Sequence, residues 1–203
     1  VEAFCGNQPV IVAGSTWEED EEEMDHYANT HPDVRFIVAP HHIGQDRLAE
    51  VERLFRHSIR YSDWVKQGPP PLKIRRPGPE PNVLLIDNIG MLSRLYRYAT
   101  IAFVGGGFGD DGVHNVLEAA VYGKPVLFGP VIEKYVEAVE LTECGGGIVI
   151  ESALEAERVF DRLLRNAAER DEIGRASRDY VQSRKGATER IVRFIQENRL
   201  LTS

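Results

Sequence analysis

The chain has 203 residues, 42% hydrophobic and 28% charged, with a formal charge of −8, an ordinary balance for a globular protein. That acidity excludes broad nucleic-acid binding, which needs a basic face, but leaves room for a small anion held by a local site. No apolar run approaches the roughly 20 residues needed to span a bilayer. Cys5 and Cys144 lack metal-ligand spacing, so a reduced, intracellular setting is expected. The opening Val1-Glu2-Ala3-Phe4 has neither a methionine nor a basic-then-apolar leader, so the chain reads as a piece of a longer protein.

Short apolar runs alternate with amphipathic segments along the chain. Pro9–Ala13 predicts a strand, followed by an acidic helix over Trp17–Asn29. Ser15 and Thr16 either cap that helix or contact a ligand. Glu18–Glu23 reads as the solvated, dipole-favoured start of the helix. Val34–Ala39 predicts a second strand, Gln45–His57 a helix and Ile59–Tyr61 a short strand. The proline-rich Gly68–Pro81 reads as a loop. Val83–Ile86 is a strand with a helix after it over Met91–Tyr98, and Ile101–Val104 is a further strand. Beyond a glycine-rich loop comes a helix over Val113–Tyr122. Strands at Pro125–Phe128 and Gly147–Ile150 flank a helix over Ile132–Glu143. Amphipathic helices over Ala153–Arg170 and Arg175–Asn198 close the chain. Strands apolar on both faces and separated by helices define the α/β class, a Rossmann-like parallel sheet covered on both sides.

In such sheets ligands bind beyond the carboxyl ends of the strands, where the polar and glycine clusters of this sequence fall. Gly14-Ser15-Thr16 follows the first strand, and Pro40-His41-His42 the second. Asp87-Asn88-Ile89-Gly90 follows the Val83–Ile86 strand, Gly105-Gly106-Gly107 the next and Gly129-Pro130 the one after. Each has a plainer reading: His41 and His42 as surface residues, Asp87-Asn88 as a helix start, His114 as sheet packing. As ligand residues, the histidines donate to a phosphate or carboxylate. The stretch from Phe103 to Glu118 is the richest. Its glycines admit a close backbone approach, its helix start offers amides to an anion, and His114, Asn115 and Glu118 have the spacing of one helix face. A glutamate among Leu117, Ala119 and Ala120 needs a partner if buried, and a ribose diol supplies one. The pattern outlines a site for a phosphorylated ribose. No histidine, cysteine or acidic constellation has metal-ligand spacing, and neither a nucleophile elbow nor a thiol–imidazole pair is present.

From Pro9 onward the chain resembles the C-terminal half of the 3-deoxy-D-manno-octulosonic acid (Kdo) transferases, a family of GT-B glycosyltransferases. The resemblance rests on the Gly14-Ser15-Thr16 opening with its acidic run, on Phe36–His42 (FIVAPHH) and on Val83–Tyr96 (VLLIDNIGMLSRLY). Most specific are His114-Asn115-x-Leu117-Glu118, the run through Gly123-Lys124-Pro125-Val126 to Phe128-Gly129-Pro130, and Glu143–Ile150 (ECGGGIVI). It implies that residues 1–203 form one donor-binding domain, with the acceptor domain and its general base on absent N-terminal sequence. The activity implied is inverting transfer of Kdo from CMP-Kdo to a lipid A precursor in lipopolysaccharide biosynthesis, with this piece inactive by itself. The donor carries one phosphate, and neither metal nor cofactor is expected. By motif position, Glu118 binds the ribose hydroxyls and Asn115 lies near the phosphate, with His114 beside them. Amides of Gly105, Gly106, Gly107 and of the Val113 helix start face the departing phosphate. Ser15, Thr16, Pro40, His41 and His42 line the other side, and Asn88, Ile89, Gly90 and Met91 face the base. Many members have Pro-Arg-His-Pro where this chain has Pro40-His41-His42-Ile43, and Gly-Glu-Leu where it has Gly90-Met91-Leu92. The implied location is the cytoplasmic face of the bacterial inner membrane, with membrane and acceptor contacts made by the missing half. The residues also fit a UDP-sugar transferase or epimerase of the same fold, or a nucleotide-binding module without catalysis.

Overall fold

The computed structural model describes residues 1–68 and 80–198; most of the proline-rich loop read from the sequence lies outside that range. Seven strands form one parallel sheet in the order β3-β4-β2-β1-β5-β6-β7. They are β1 (Val10–Thr16), β2 (Arg35–Pro40), β3 (Ser58–Arg60), β4 (Val83–Leu85), β5 (Ile101–Val104), β6 (Val126–Phe128) and β7 (Gly147–Val149). β1 lies at the centre, with Ile11 opposite Phe36 on β2 and opposite Ile101 on β5. These strands read as unbroken apolar runs because both faces are covered.

The helices divide between the two faces. On one, α2 (Glu18–Glu22), α3 (Asp25–Thr30), α4 (Gln45–Leu54) and α9 (Ala153–Arg165) cover the sheet, with Met24, Tyr27, Leu48 and Phe160 packed on Ile11, Phe36 and Phe103. The other carries α1 (Glu2–Cys5), α5 (Tyr61–Gln67), α6 (Leu92–Leu95) with the 3-10 turn Tyr96–Tyr98, α7 (Leu117–Ala120), α8 (Val136–Glu143) and α10 (Ala167–Ser183). There Tyr96, Ala119, Leu141 and Tyr180 pack on Val12, Ile37, Leu84 and Phe128. α11 (Ala187–Glu197) follows with no buried residue, its Ile191 and Phe194 about 60% exposed.

Several expected elements take a different form. The chain opens with the helical turn α1 before its first strand. The acidic helix is two short ones, α2 and α3, joined through Met24. The C-terminal pair is three helices because Asn166 ends α9 and caps α10. Its Oδ1 accepts from the Glu169 amide at 3.2 Å, and its Nδ2 donates to the Glu169 carboxylate at 3.1 Å, a reciprocal cap with asparagine in the Ser/Thr position. The helix expected from Val113 starts only at Leu117. The amides before it are drawn elsewhere: Val113 donates to the Val131 carbonyl at 3.2 Å and His114 to that of Gly105 at 3.0 Å.

Two glycines beyond β5 and β6 touch backbone to backbone: a Cβ on Gly107 would stand 2.6 Å from the Gly129 nitrogen and 2.8 Å from its Cα. Neither strand end can yield like a flexible side chain, so Gly107→Ala is expected to destabilise the fold by about 1–3 kcal/mol. At Gly109 an added Cβ meets nothing nearer than 3.8 Å, so Gly109→Ala should stay within about 0.5 kcal/mol of the parent in urea unfolding.

Candidate functional site

From β1 the chain moves to β2 on one side of the sheet, and after β4 it crosses back to β5 on the other. The crevice beyond the carboxyl ends of β1 and β5 is therefore the topological switch point. Ser15 is the one non-glycine among the described residues with positive φ, at 54°, and the β1–β2 register shifts between Gly14 and Thr16. This left-handed residue, costing roughly 1–2 kcal/mol, turns the strand end so that the Thr16 side chain points inward. Gly105 donates to the Gly14 carbonyl at 2.9 Å, and a Cβ there would stand 2.5 Å from the Ser15 oxygen. The first glycine of the triplet thus answers to strand packing before any ligand.

The two loops are joined by acids that the sequence places on a solvated face. Asp20 and Glu21 are fully buried, correcting that expectation. Asp20 Oδ2 accepts from the Trp17 amide at 2.8 Å and the Gly106 amide at 2.7 Å. The first bond closes α2 like the acidic arm of a capping box, and the second pins the glycine loop. Oδ1 is buried with no hydrogen-bond partner among the described residues. Burial pushes the Asp20 carboxyl up to about 6 against the pull of the Gly106 and Trp17 amides. Glu21 accepts from the Thr16 hydroxyl at 2.8 Å and pairs with Arg47. Burial raises it to about 7, with Thr16 and Arg47 opposing.

Above these acids lies an aromatic stack. The His41 ring sits 4.7 Å from Trp17 and 4.6 Å from His114, nearly parallel to both, and His42 meets Trp17 edge-on at 5.0 Å. Trp17 Nε1 donates to His114 Nε2 at 3.0 Å. An indole N–H only donates, so His114 holds its proton on Nδ1 and is neutral in this arrangement. Burial, and then the nearby His41, keep its pKa below the ordinary imidazole value.

Most of the expected residues converge. Ser15, Pro40, His41, His42, Asn88, Ile89 and Gly90 line one 310 Å³ cavity. Met91 opens instead into a neighbouring 320 Å³ cavity beside Tyr61, Arg94 and Tyr98. His114 and Asn115 line a third, of 440 Å³, with Tyr135 and Glu137. Thr16 is buried against Glu21 and serves the loop junction. The amides of Gly105 and Gly106 are taken by Gly14 and Asp20 and do not face an anion. His114 and Asn115 precede α7, so they do not share a helix face with Glu118; Asn115 Oδ1 accepts from the Leu117 amide at 3.1 Å. Glu118 lies half-buried on the first turn of α7, near enough to the buried Tyr96 hydroxyl to help burial raise its pKa. Trp17 and Asp20 were not expected at the site. The available signal was Trp17-x-x-Asp20, an acid placed to reach back to the helix start.

The sheet order and switch-point crevice are those of a Rossmann-like domain of the GT-B fold. Its fold matches the crystal structure of the C-terminal CMP-Kdo binding domain of WaaA from Acinetobacter baumannii with a TM-score of 0.73 and 21% identity, over 89% of this chain and 93% of that one. No protein-family model matches the chain. Curated relatives do: it is 30% identical over 202 residues to a bifunctional glycosyltransferase/methyltransferase of Fusobacterium nucleatum, covering 97% of this chain and 27% of that protein. It is 26% identical over 196 residues to the 3-deoxy-D-manno-octulosonic acid transferase of Haemophilus influenzae, covering 94% of this chain and 44% of the relative. The chain thus spans less than half the length of either relative. The resemblance to the Kdo transferase family carried by its motifs is borne out along nearly the whole chain.

Both buried acids are shifted upward, so the folded chain binds their protons more tightly than the unfolded one. The stability this contributes is fully present below about pH 4, near the unfolded carboxyl pKa values, and is lost as pH rises through about 6 for Asp20 and about 7 for Glu21. Urea unfolding of Glu21→Gln should show the variant gaining on its parent by about 1–3 kcal/mol between acid and mildly alkaline pH. A pH-independent gap would mean that Arg47 keeps Glu21 ionised throughout.

Proposed function

We propose that this chain is the donor-binding domain of a glycosyltransferase and holds CMP-Kdo for inverting transfer to a lipid A precursor. The observation that carries the reading is the meeting of Ser15, His41, His42 and Asn88–Gly90, from three strand ends, around one cavity at the switch point. The family motif His114-Asn115-x-Leu117-Glu118 lies on the adjoining β5 loop and α7. Both oxygens of the Glu118 carboxylate accept from the ribose diol. The exposed His41 and His42 donate to the single phosphate, and Asn115, its Oδ1 engaged by Leu117, offers Nδ2 to the same group. Backbone groups of Asn88–Gly90 read the cytosine edge.

In the transfer, an acceptor hydroxyl attacks the anomeric carbon of Kdo as the bond to the phosphate oxygen breaks and CMP departs. A general base on the acceptor domain takes the hydroxyl proton, and the imidazoles offset charge developing on the phosphate. The chain supplies the donor half of this chemistry and transfers nothing by itself. No helix among the described residues is long and apolar enough to cross a membrane. In this reading the upstream half brings the whole enzyme to the cytoplasmic face of the inner membrane, where the acceptor lies.

At about 100 times its dissociation constant, CMP should stabilise the chain by roughly 2.7 kcal/mol, more than UDP or ADP at equal concentration. Glu118→Ala should abolish that effect while leaving unliganded stability nearly unchanged. Tighter binding of UDP would instead favour a UDP-sugar enzyme. A guanidinium stays charged where an imidazole is neutral, and it also stacks on aromatic rings. His41→Arg is therefore expected to bind CMP several-fold more tightly, measured by calorimetry.

A further inference from the structure

At the opposite edge of the sheet, beyond the amino end of β6, α10 crosses the Gly123-Lys124 turn. The approach is close: a Cβ on Gly174 would stand 3.0 Å from the Gly123 carbonyl carbon. The Arg178 guanidinium lies against Gly123, with Nε 2.7 Å and Cζ 2.9 Å from the place of a Cβ there. Gly123 has φ +65°, so its conformation and the guanidinium both leave no place for a side chain.

Ala168, Asp171, Arg175 and Arg178 follow one another at three- and four-residue steps, so they share a face of α10. With Gly123 they line a 460 Å³ cavity. Lys124 stands half-buried beside it, close enough to Arg170 and Arg178 that burial and these two cations lower its pKa. On the C-terminal helices Arg162 pairs with Glu169, Arg165 with Asp161 and Arg184 with Glu140, while Arg158 on α9 and Arg190 and Arg193 on α11 form no ion pair among the described residues. Among the described residues, Lys124, Arg170, Arg175 and Arg178 are not in such pairs. Arg170 donates to the Leu163 carbonyl at 2.9 Å, and Arg175 Nε to the Asp171 carbonyl at 3.3 Å. A chain of net charge −8 therefore lines one cavity with two guanidiniums, Arg175 and Arg178, and a single acid, Asp171, with the Lys124 ammonium close to Arg178.

We infer that the cavity between α10 and the Gly123-Lys124 turn binds a phosphate-bearing anion, at a site separate from the donor crevice. Guanidinium forks match the oxygens of a phosphate and Lys124 adds a point charge. The cavity is open to solvent and its volume has the scale of a small-molecule site, which leaves room for a phosphate carried on a larger group. That group is either a free phosphorylated molecule or the headgroup of a membrane phospholipid.

Two probes separate these sources. Pyrophosphate is titrated by calorimetry, and cosedimentation is measured with vesicles of phosphatidylcholine alone or mixed with phosphatidylglycerol. Arg175→Gln/Arg178→Gln is compared with the parent and with a control of equal charge, Arg190→Gln/Arg193→Gln on α11. The expected result is binding to at least one probe that falls about 10-fold or more in Arg175→Gln/Arg178→Gln and persists in the control. Pyrophosphate binding without vesicle binding assigns a free phosphorylated ligand; vesicle binding dependent on phosphatidylglycerol assigns the headgroup. Lys124→Gln gives a second, independent loss should the double variant melt early. Binding to neither probe, or equal loss in the α11 control, overturns the proposal.

Discussion

The buried carboxylate of Asp20 holds the crevice together. Its Oδ2 takes hydrogen bonds from the Trp17 amide after β1 and from the Gly106 amide after β5, joining the two loops through a single oxygen. Orphaned amides in such a place would each cost about 1–3 kcal/mol, so the acid is kept despite the burial that raises its pKa. Its position follows from Ser15. The left-handed turn there swings Thr16 inward to Glu21 and starts α2 early enough for Asp20 to reach back. Strain at one residue and burial of two acids thus fix where the glycine loop stands, and with it the rings of Trp17, His41 and His114.

The glycine triplet has a different meaning in this setting. Its first two amides satisfy the protein, and its close contacts are with Ser15 and Asp20 at Gly105, Gly112 at Gly106 and Gly129 at Gly107. The glycines allow two strand ends and an acid to converge. The groups left for a ligand are side chains around the rim, mostly imidazoles and amides. The neutral His114 carries the stack of rings from the β5 loop to the more exposed His41.

The sheet was legible because buried parallel strands are continuous apolar runs, and the site edge because polar clusters follow each of them. Val10–Ala13, Arg35–Ala39 and Ile101–Val104 carry nothing that competes with that reading. Asp20 and Glu21 were hidden by their own neighbours. In the run Glu18–Glu23 the one local mark is the Trp17-x-x-Asp20 spacing, and it does not tell an acid that only caps a solvated helix from one folded under a loop 86 residues away in sequence. The start of α7 was misplaced for a related reason: the helical spacing of Val113, Val116 and Ala120 is real, but the carbonyls of Gly105 and Val131 capture the amides that a helix would need. Asn166 could have been found from sequence, since Asn-x-x-Glu is a helix-start signature even inside a long amphipathic run.

The pairing of Ile11 with Ile101 has a consequence for how the chain assembles. β1 is made first, but one of its two flanking partners arrives 90 residues later, and the crevice exists only once both are in place. Parallel pairing at that separation carries a large loop-closure cost and slows folding. Until β5 docks, one flank of β1 is an unpaired apolar strand, open to association with other nascent chains. The acids clustered just after it, Glu18 to Glu23, have the composition that discourages such association, and two of them, Asp20 and Glu21, end in the finished interior.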